Sequence, residues 1–293
     1  MESRIGREAP EGSRKFLVGI GRGAAGALLF GLPMLMTMEL WQLGFYMERS
    51  RLLLLVLVNI PLLIALAHRV GFEKTYTLAQ ACRDAAIAYG LGIVMSALIL
   101  VLLGDIKTSM PMSEIIGKIS IQAVAASIGA LLGRSQLADH TGSGGDQDDD
   151  GGKGEDAVRD RMSGNYGHEL FLMAVGALFL NLNIAPTEEI ILISYKMTAW
   201  HALFAIVASI AIMHAFVYAV AFKGTHQMSA AAPRWHVLVR FTLPGYVVAM
   251  AVSFFVLWLF GRLDGKAVSQ MVMSSIVLSF PGAIGAAAAR LIL

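Results

Sequence analysis

Residues 85 to 104, AAIAYGLGIVMSALILVLLG, run for twenty positions without a charge. At 1.5 Å per residue, a helix of that length covers about 30 Å, the thickness of a bilayer's hydrocarbon core. Segments of this kind recur eight times, at approximately 17 to 46, 52 to 70, 84 to 104, 112 to 133, 168 to 196, 199 to 222, 240 to 261 and 269 to 291. Composition agrees: 56% of residues are hydrophobic and 15% charged, with a mean hydropathy of +0.65, too apolar for a water-soluble domain of 293 residues. The chain reads as a polytopic membrane protein whose first partner is the lipid bilayer.

The formal charge of +2 carries no signal for nucleic acid. In a membrane protein, Lys and Arg report topology instead. Arg4, Arg7, Arg14 and Lys15 precede span 1, Arg69, Lys74 and Arg83 lie between spans 2 and 3, and Lys223, Arg234 and Arg240 lie between spans 6 and 7. This bias puts both termini in the cytoplasm and leaves Arg49, Arg51, Lys107, Lys118, Lys196, Arg262 and Lys266 facing out. The first apolar run is too long for a signal peptide and is read as retained. The single cysteine, Cys82, excludes an intramolecular disulfide and any cysteine-based metal cluster.

Between spans 4 and 5, SQLADHTGSGGDQDDDGGKGEDAVRDRMSGN is a Gly/Asp-rich stretch unable to bury enough apolar surface to fold. Asp146, Asp148, Asp150 and Gly151 match the start of a calcium-binding EF-hand loop, but its twelfth position, normally a bidentate Glu, is Ala157. A solvated acidic spacer is the simpler reading.

The spacer separates two halves that resemble each other. At a constant spacing of 150, Gly26, Ala27, Leu28, Thr37, Glu39 and Met47 meet Gly176, Ala177, Leu178, Thr187, Glu189 and Met197. The register continues through Ile60/Ile210, Ala65/Ala215 and Phe72/Phe222. It becomes 157 for Arg83, Tyr89, Ser96 and Gly104, then 156 for IGALLGR (128 to 134) against IGAAAAR (284 to 290). Four spans per half give both halves the same orientation. The expected fold is therefore all-α and transmembrane, an eight-span helical bundle built from two parallel four-span repeats. Its parts are an N-terminal tail (1–16), repeat 1 (17–134), the linker (135–167) and repeat 2 (168–293).

FLVGIGRGAAGALLFGLPMLMTMELWQLGF, together with NLNIAPTEEI, resembles a family of bacterial integral membrane proteins of unknown function. The resemblance implies a bacterial inner membrane and covers spans 1 to 8. It implies no activity or cofactor.

Glu39 and the pair Glu188/Glu189 stand inside otherwise apolar runs. On a continuous helix Glu39 lies about 15 Å from Arg49 and about 25 Å from Arg22, in the outer half of the bilayer. A carboxylate at such depth costs about 2.5 to 3.5 kcal/mol unless it faces a cavity or a partner. Gly31, Pro33 and Thr37 precede Glu39, while Asn181, Asn183, Pro186 and Thr187 precede Glu189. Proline removes a backbone donor, so both helices should break there, and paired breaks point to a substrate or ion site. Gln42 and Tyr46 share the face of Glu39.

The expected ion-binding or proton-relay residues are Thr37, Glu39, Gln42, Thr187, Glu188 and Glu189, with Pro33, Asn183 and Pro186 making the breaks. The reading that follows is a cation or proton channel or transporter, with the metal, if any, unspecified and homo-oligomerisation left open. An alternative has the buried glutamates merely locking the two repeats together. A lesser one, an intramembrane hydrolase, is prompted by Glu188, Glu189 and His214. It lacks the Arg such proteases carry four residues after the second Glu, a place held by Ile193, and it lacks a second intramembrane His. His214 is read as a core histidine bonded to a neighbouring helix. Asn59, Gln122, Ser274 and Ser275 are read as interhelical hydrogen-bonders, Gly129/Gly133 as a packing surface, and Arg83/Asp84 and Arg240 as anchors.

Overall fold

The computed structural model describes residues 8–70, 77–139, 155–221 and 238–292, with side chains described within 18–68, 77–133, 166–216 and 238–289. The described residues form helices and turns and contain no strand. Among the described residues, eight helices are long and apolar enough to cross a membrane. They fall into two compact units, Met1–Asp146 and Gln147–Leu293.

The first unit comprises α1 (Glu8–Leu35), α2 (Met38–Tyr46), α3 (Arg49–Val70), α4 (Leu78–Leu102) and α5 (Met112–Asp139). α5 touches each of the other four. Its apolar window is 78% buried, against 33% for α1 and α3 and 28% for α4, which makes it the centre of the unit. Sequence explains why. Lipid tails are as apolar as Leu, so helices in a membrane associate where small residues let backbones approach. α5 supplies Ala123, Ala125, Ala126, Ser127, Gly129 and Gly133. A Cβ on Gly26 of α1 would stand 2.5 Å from the Gly129 carbonyl and 2.7 Å from Gly133 Cα. Asn59 of α3 donates to Ser127 Oγ at 3.1 Å and Gln122 to the Met34 carbonyl at 3.4 Å, both between helices as expected.

The second unit comprises α6 (Glu155–Ile184), α7 (Glu189–Lys196), α8 (Ala199–Ala221), a π-helical turn (Leu238–Thr242), α9 (Leu243–Leu259) and α10 (Val268–Ile292). α10 is its centre, touching α6, α7, α8 and α9. Gly285 is pressed against Gly176, whose carbonyl carbon would lie 3.0 Å from an added Cβ. Asn181 of α6 hydrogen-bonds Ser253 of α9 at 2.9 Å. His214 Nδ1 lies 3.0 Å from Thr242 Oγ1, the neighbouring-helix bond expected of a core histidine. Arg240 stacks over the Tyr166 and Phe241 rings, 5.8 Å from each centroid.

Several expectations are corrected here. The first and fifth apolar runs break as their Pro, Thr and Asn residues suggested, the long helices ending at Leu35 and Ile184 and the chain restarting as α2 and α7. Ser275 bonds the Met271 carbonyl of its own helix at 2.8 Å; only Ser274, one residue and about 100° round the helix, reaches across. α1 begins at Glu8, inside the stretch read as tail, and α5 extends to Asp139 while α6 begins at Glu155, both inside the stretch read as linker. The calcium-loop match at 146–151 and the Phe72/Phe222 pair lie outside the described residues.

Candidate functional site

Each unit breaks its first helix in the same manner. Pro33 sits near the end of α1, and Thr37 Oγ1 donates to the Met34 carbonyl at 2.8 Å. In the second unit Thr187 Oγ1 donates to the Ile184 carbonyl, also at 2.8 Å, and Asn183 Nδ2 to the Phe179 carbonyl at 2.8 Å. The Met34 and Ile184 carbonyls also accept the backbone N–H of the same threonines, each at 3.1 Å, so the hydroxyl bonds reinforce the two helix ends, while the Asn183 bond falls inside α6. Trp41 Nε1 adds a bond to the Leu35 carbonyl at 2.7 Å. The glutamates then fall at the start of the next helix: Glu39 in the first turn of α2, Glu188 as the cap of α7 and Glu189 as its first residue. Carboxylates there meet unpaired backbone N–H groups and the positive end of the helix dipole. Glu188 and Glu189 are exposed and Glu39 half-buried.

The breaks also change direction. Gly31 packs on Ala126, and thirteen residues later Gly44 packs on Lys118, only eight residues back along α5. A continuous helix would advance about 20 Å over thirteen residues, whereas eight span about 12 Å. α2 therefore crosses α5 obliquely, and it leaves a space against the turn that joins α4 to α5.

That turn is built by Gly104. Its φ of 74° is a left-handed conformation suited to glycine. Its N–H bonds the Val101 carbonyl at 3.0 Å, and the Asp105 N–H bonds the Leu100 carbonyl at 3.0 Å, the paired bonds of a Schellman cap. The cap fixes the Asp105 side chain over the start of α5. Glu114, in the first turn of α5, lies one helical turn before Lys118. Lys118 Nζ is 3.0 Å from Asp105 Oδ2 and 3.2 Å from Glu114 Oε1, with its side chain only 6% exposed. These three groups form one wall of a cleft of about 610 Å³. Trp41, Gln42, Phe45 and Tyr46 of α2 form the other.

Lys118, counted in the sequence only among the charges that report topology, is a buried member of an apolar span, where two carboxylates meet its ammonium. Of the residues picked out in sequence, Gln42 lines the cleft; Thr37 and Thr187 spend their hydroxyl donors on the helix ends, and Glu39 is not in the lining. Asp105, Glu114 and Lys118 were not picked out. Among the described residues, no three His, Cys, Asp or Glu side chains converge as a metal site.

The corresponding place in the second unit is built differently. Gly261, with φ of 71°, makes the same cap, its N–H on Trp258 and that of Arg262 on Leu257. Arg262, which follows Gly261 as Asp105 follows Gly104, donates from Nη2 to the Pro186 carbonyl. Ser194, Gln270 and Ser274 fill the rest, with Gln270 Nε2 2.6 Å and Ser274 Oγ 3.0 Å from Ser194 Oγ. No charge remains among those three.

Eight apolar helices, central helices packed by backbone contact and a charged cluster at the end of a span define a multi-pass integral membrane protein. Residues 19–293 match the family described as "Putative integral membrane protein (DUF2391)", and the chain belongs to that family. No curated protein and no solved structure matches the chain.

Proposed function

We propose that the protein moves protons or cations across its membrane, and that the working site is the cleft of the first unit, with Asp105, Glu114 and Lys118 as its charged groups. The observation carrying this reading is Lys118, an ammonium 6% exposed in an apolar span, facing two carboxylates and an open cleft. Ionisable groups are expensive inside a membrane, and where they persist they mark ion or proton pathways. In this reading the Thr37-x-Glu39 and Thr187-x-Glu189 segments act by breaking helices and aiming α2 and α7, and Glu39, Glu188 and Glu189 complete helix starts.

The two units are proposed to descend from one duplicated four-span element. Support comes from bonds and contacts that recur in register. Thr37 to Met34 recurs as Thr187 to Ile184, the Gly104 cap as the Gly261 cap, and Gly26 on Gly129 as Gly176 on Gly285. Compensated exchanges add to this: Gly31 beside Ala126 becomes Asn181 beside Gly282, and Gly44 beside Lys118 becomes Ser194 beside Ser274. On this view the first copy kept or gained charge at the α4–α5 turn and the second became neutral.

Flux in proteoliposomes tests the assignment. Lys118→Met and Asp105→Asn should each abolish proton or cation flux at wild-type incorporation, while the double variant Glu39→Gln/Glu189→Gln keeps it. Loss of flux in the glutamate double variant with Lys118→Met unaffected would move the site to the Thr-x-Glu segments. Absence of flux in the wild type across protons and monovalent and divalent cations would favour a non-transporting role.

A further inference from the structure

The cleft that carries the proposed function has walls of two chemical kinds. One holds the carboxylates of Asp105 and Glu114; the other is aromatic, with Phe45 61% and Tyr46 53% exposed. An inorganic cation needs several converging oxygens at 2 to 2.6 Å, and aromatic faces supply none. An organic ammonium is different. Its charge is attracted to the faces of Trp and Tyr and to carboxylates, and its carbon body fills apolar space. A volume of about 610 Å³ falls in the range of small-molecule sites and far exceeds a bare ion. The protein already displays the pairing internally, since Lys118 is itself an alkylammonium held by both carboxylates. With two carboxylates and one ammonium, the cluster keeps a formal charge of −1 when all three are ionised. Gln42, on the aromatic wall, has no hydrogen-bond partner among the described residues and offers an amide oxygen to a further N–H.

We infer that this cleft binds a primary alkylammonium group, of a free amine or of a lipid head group, between the Asp105/Glu114 carboxylates and the aromatic face of α2. The inference deepens the transport reading by naming the class of cation, and it stands on binding and not on flux. Lys118 then acts as a tethered competitor for the same carboxylates.

Titration of n-butylammonium against purified protein in nanodiscs of phosphatidylcholine, followed by calorimetry, tests it. Expected are saturable binding to the wild type that equimolar sodium does not reproduce, about tenfold weaker binding in Tyr46→Leu, and at least tenfold tighter binding in Lys118→Met. Tyr46 is exposed, so its replacement leaves the fold intact. Repeating the titration with phosphatidylethanolamine in the disc assigns the source. Weakened butylammonium binding identifies the lipid amine, unchanged binding identifies a free amine, and both support the inference. No saturable binding to wild type or to folded Lys118→Met, or equal affinity in wild type and Tyr46→Leu, would overturn it. Flux without ammonium binding would leave the transport reading standing alone, and binding without flux would leave the inference standing alone.

Discussion

A single left-handed residue decides where the first unit's charge goes. Gly104 turns the chain at the end of α4 so that Asp105 comes back over the start of α5, and no L side chain adopts φ of 74° without strain. Gly104→Ala should lower stability in detergent by about 1 to 2 kcal/mol and displace Asp105, with flux falling though each charged group is still present. Gly90 is the control: an added Cβ meets nothing within 4 Å, so Gly90→Ala should leave flux unchanged and raise helix stability by up to about 1 kcal/mol. A thermal melt beside flux for both variants checks this, and equal behaviour of the two would show that the turn does not hold Asp105 in place. Lys118 was hidden in the sequence for a related reason. Read along the chain it is one of several basic residues near a span end; its partner Asp105 is thirteen residues upstream and becomes a neighbour only through the Gly104 turn. Ser274 and Ser275 show the same limit at finer grain. Both are polar and buried, and rotation about the helix, which composition does not carry, decides that only the first reaches Ser194.

At the scale of elements, the sequence was far more open. Long apolar runs locate the eight spans found among the described residues, since in lipid a helix satisfies its own backbone and little else can be built. The breaks in the first and fifth runs were also legible, because Pro, Thr and Glu gather there, whereas Pro61 and Pro281, without such neighbours, sit inside the continuous α3 and α10. What could not be read was the heading of the chain after each break, which depends on contacts such as Gly44 with Lys118. The linker boundary was also displaced, because composition averages a Gly/Asp-rich middle with the helix-forming EDAVRDRM that opens α6. A paired deletion follows from this. Removing residues 140–154 should leave membrane insertion and flux near wild type, whereas removing 140–165 also cuts eleven residues from α6 and should lower yield and melting temperature. Equal tolerance of both deletions would show that the opening turns of α6 contribute nothing to stability.

The whole molecule is two units, each with its own central helix and its own packed interior. Domains that fold on their own contacts tolerate interruption between them. Two polypeptides, divided within 140–154 and expressed together, should both insert, with flux restored to at least half that of the intact chain. Recovery of only one piece from the membrane would show that the other depends on covalent continuity. The central helices carry one more consequence, and it concerns time. α5 and α10 are the last helices of their units to leave the ribosome, yet they are the surfaces on which the others pack. Until each arrives, the earlier spans wait in the lipid with Gly26 or Gly176 turned toward a neighbour that has not yet been made. Synthesis of either unit thus delivers the scaffold after the walls, and a chain stopped before α5 or α10 is expected to leave its earlier spans without their packing surface.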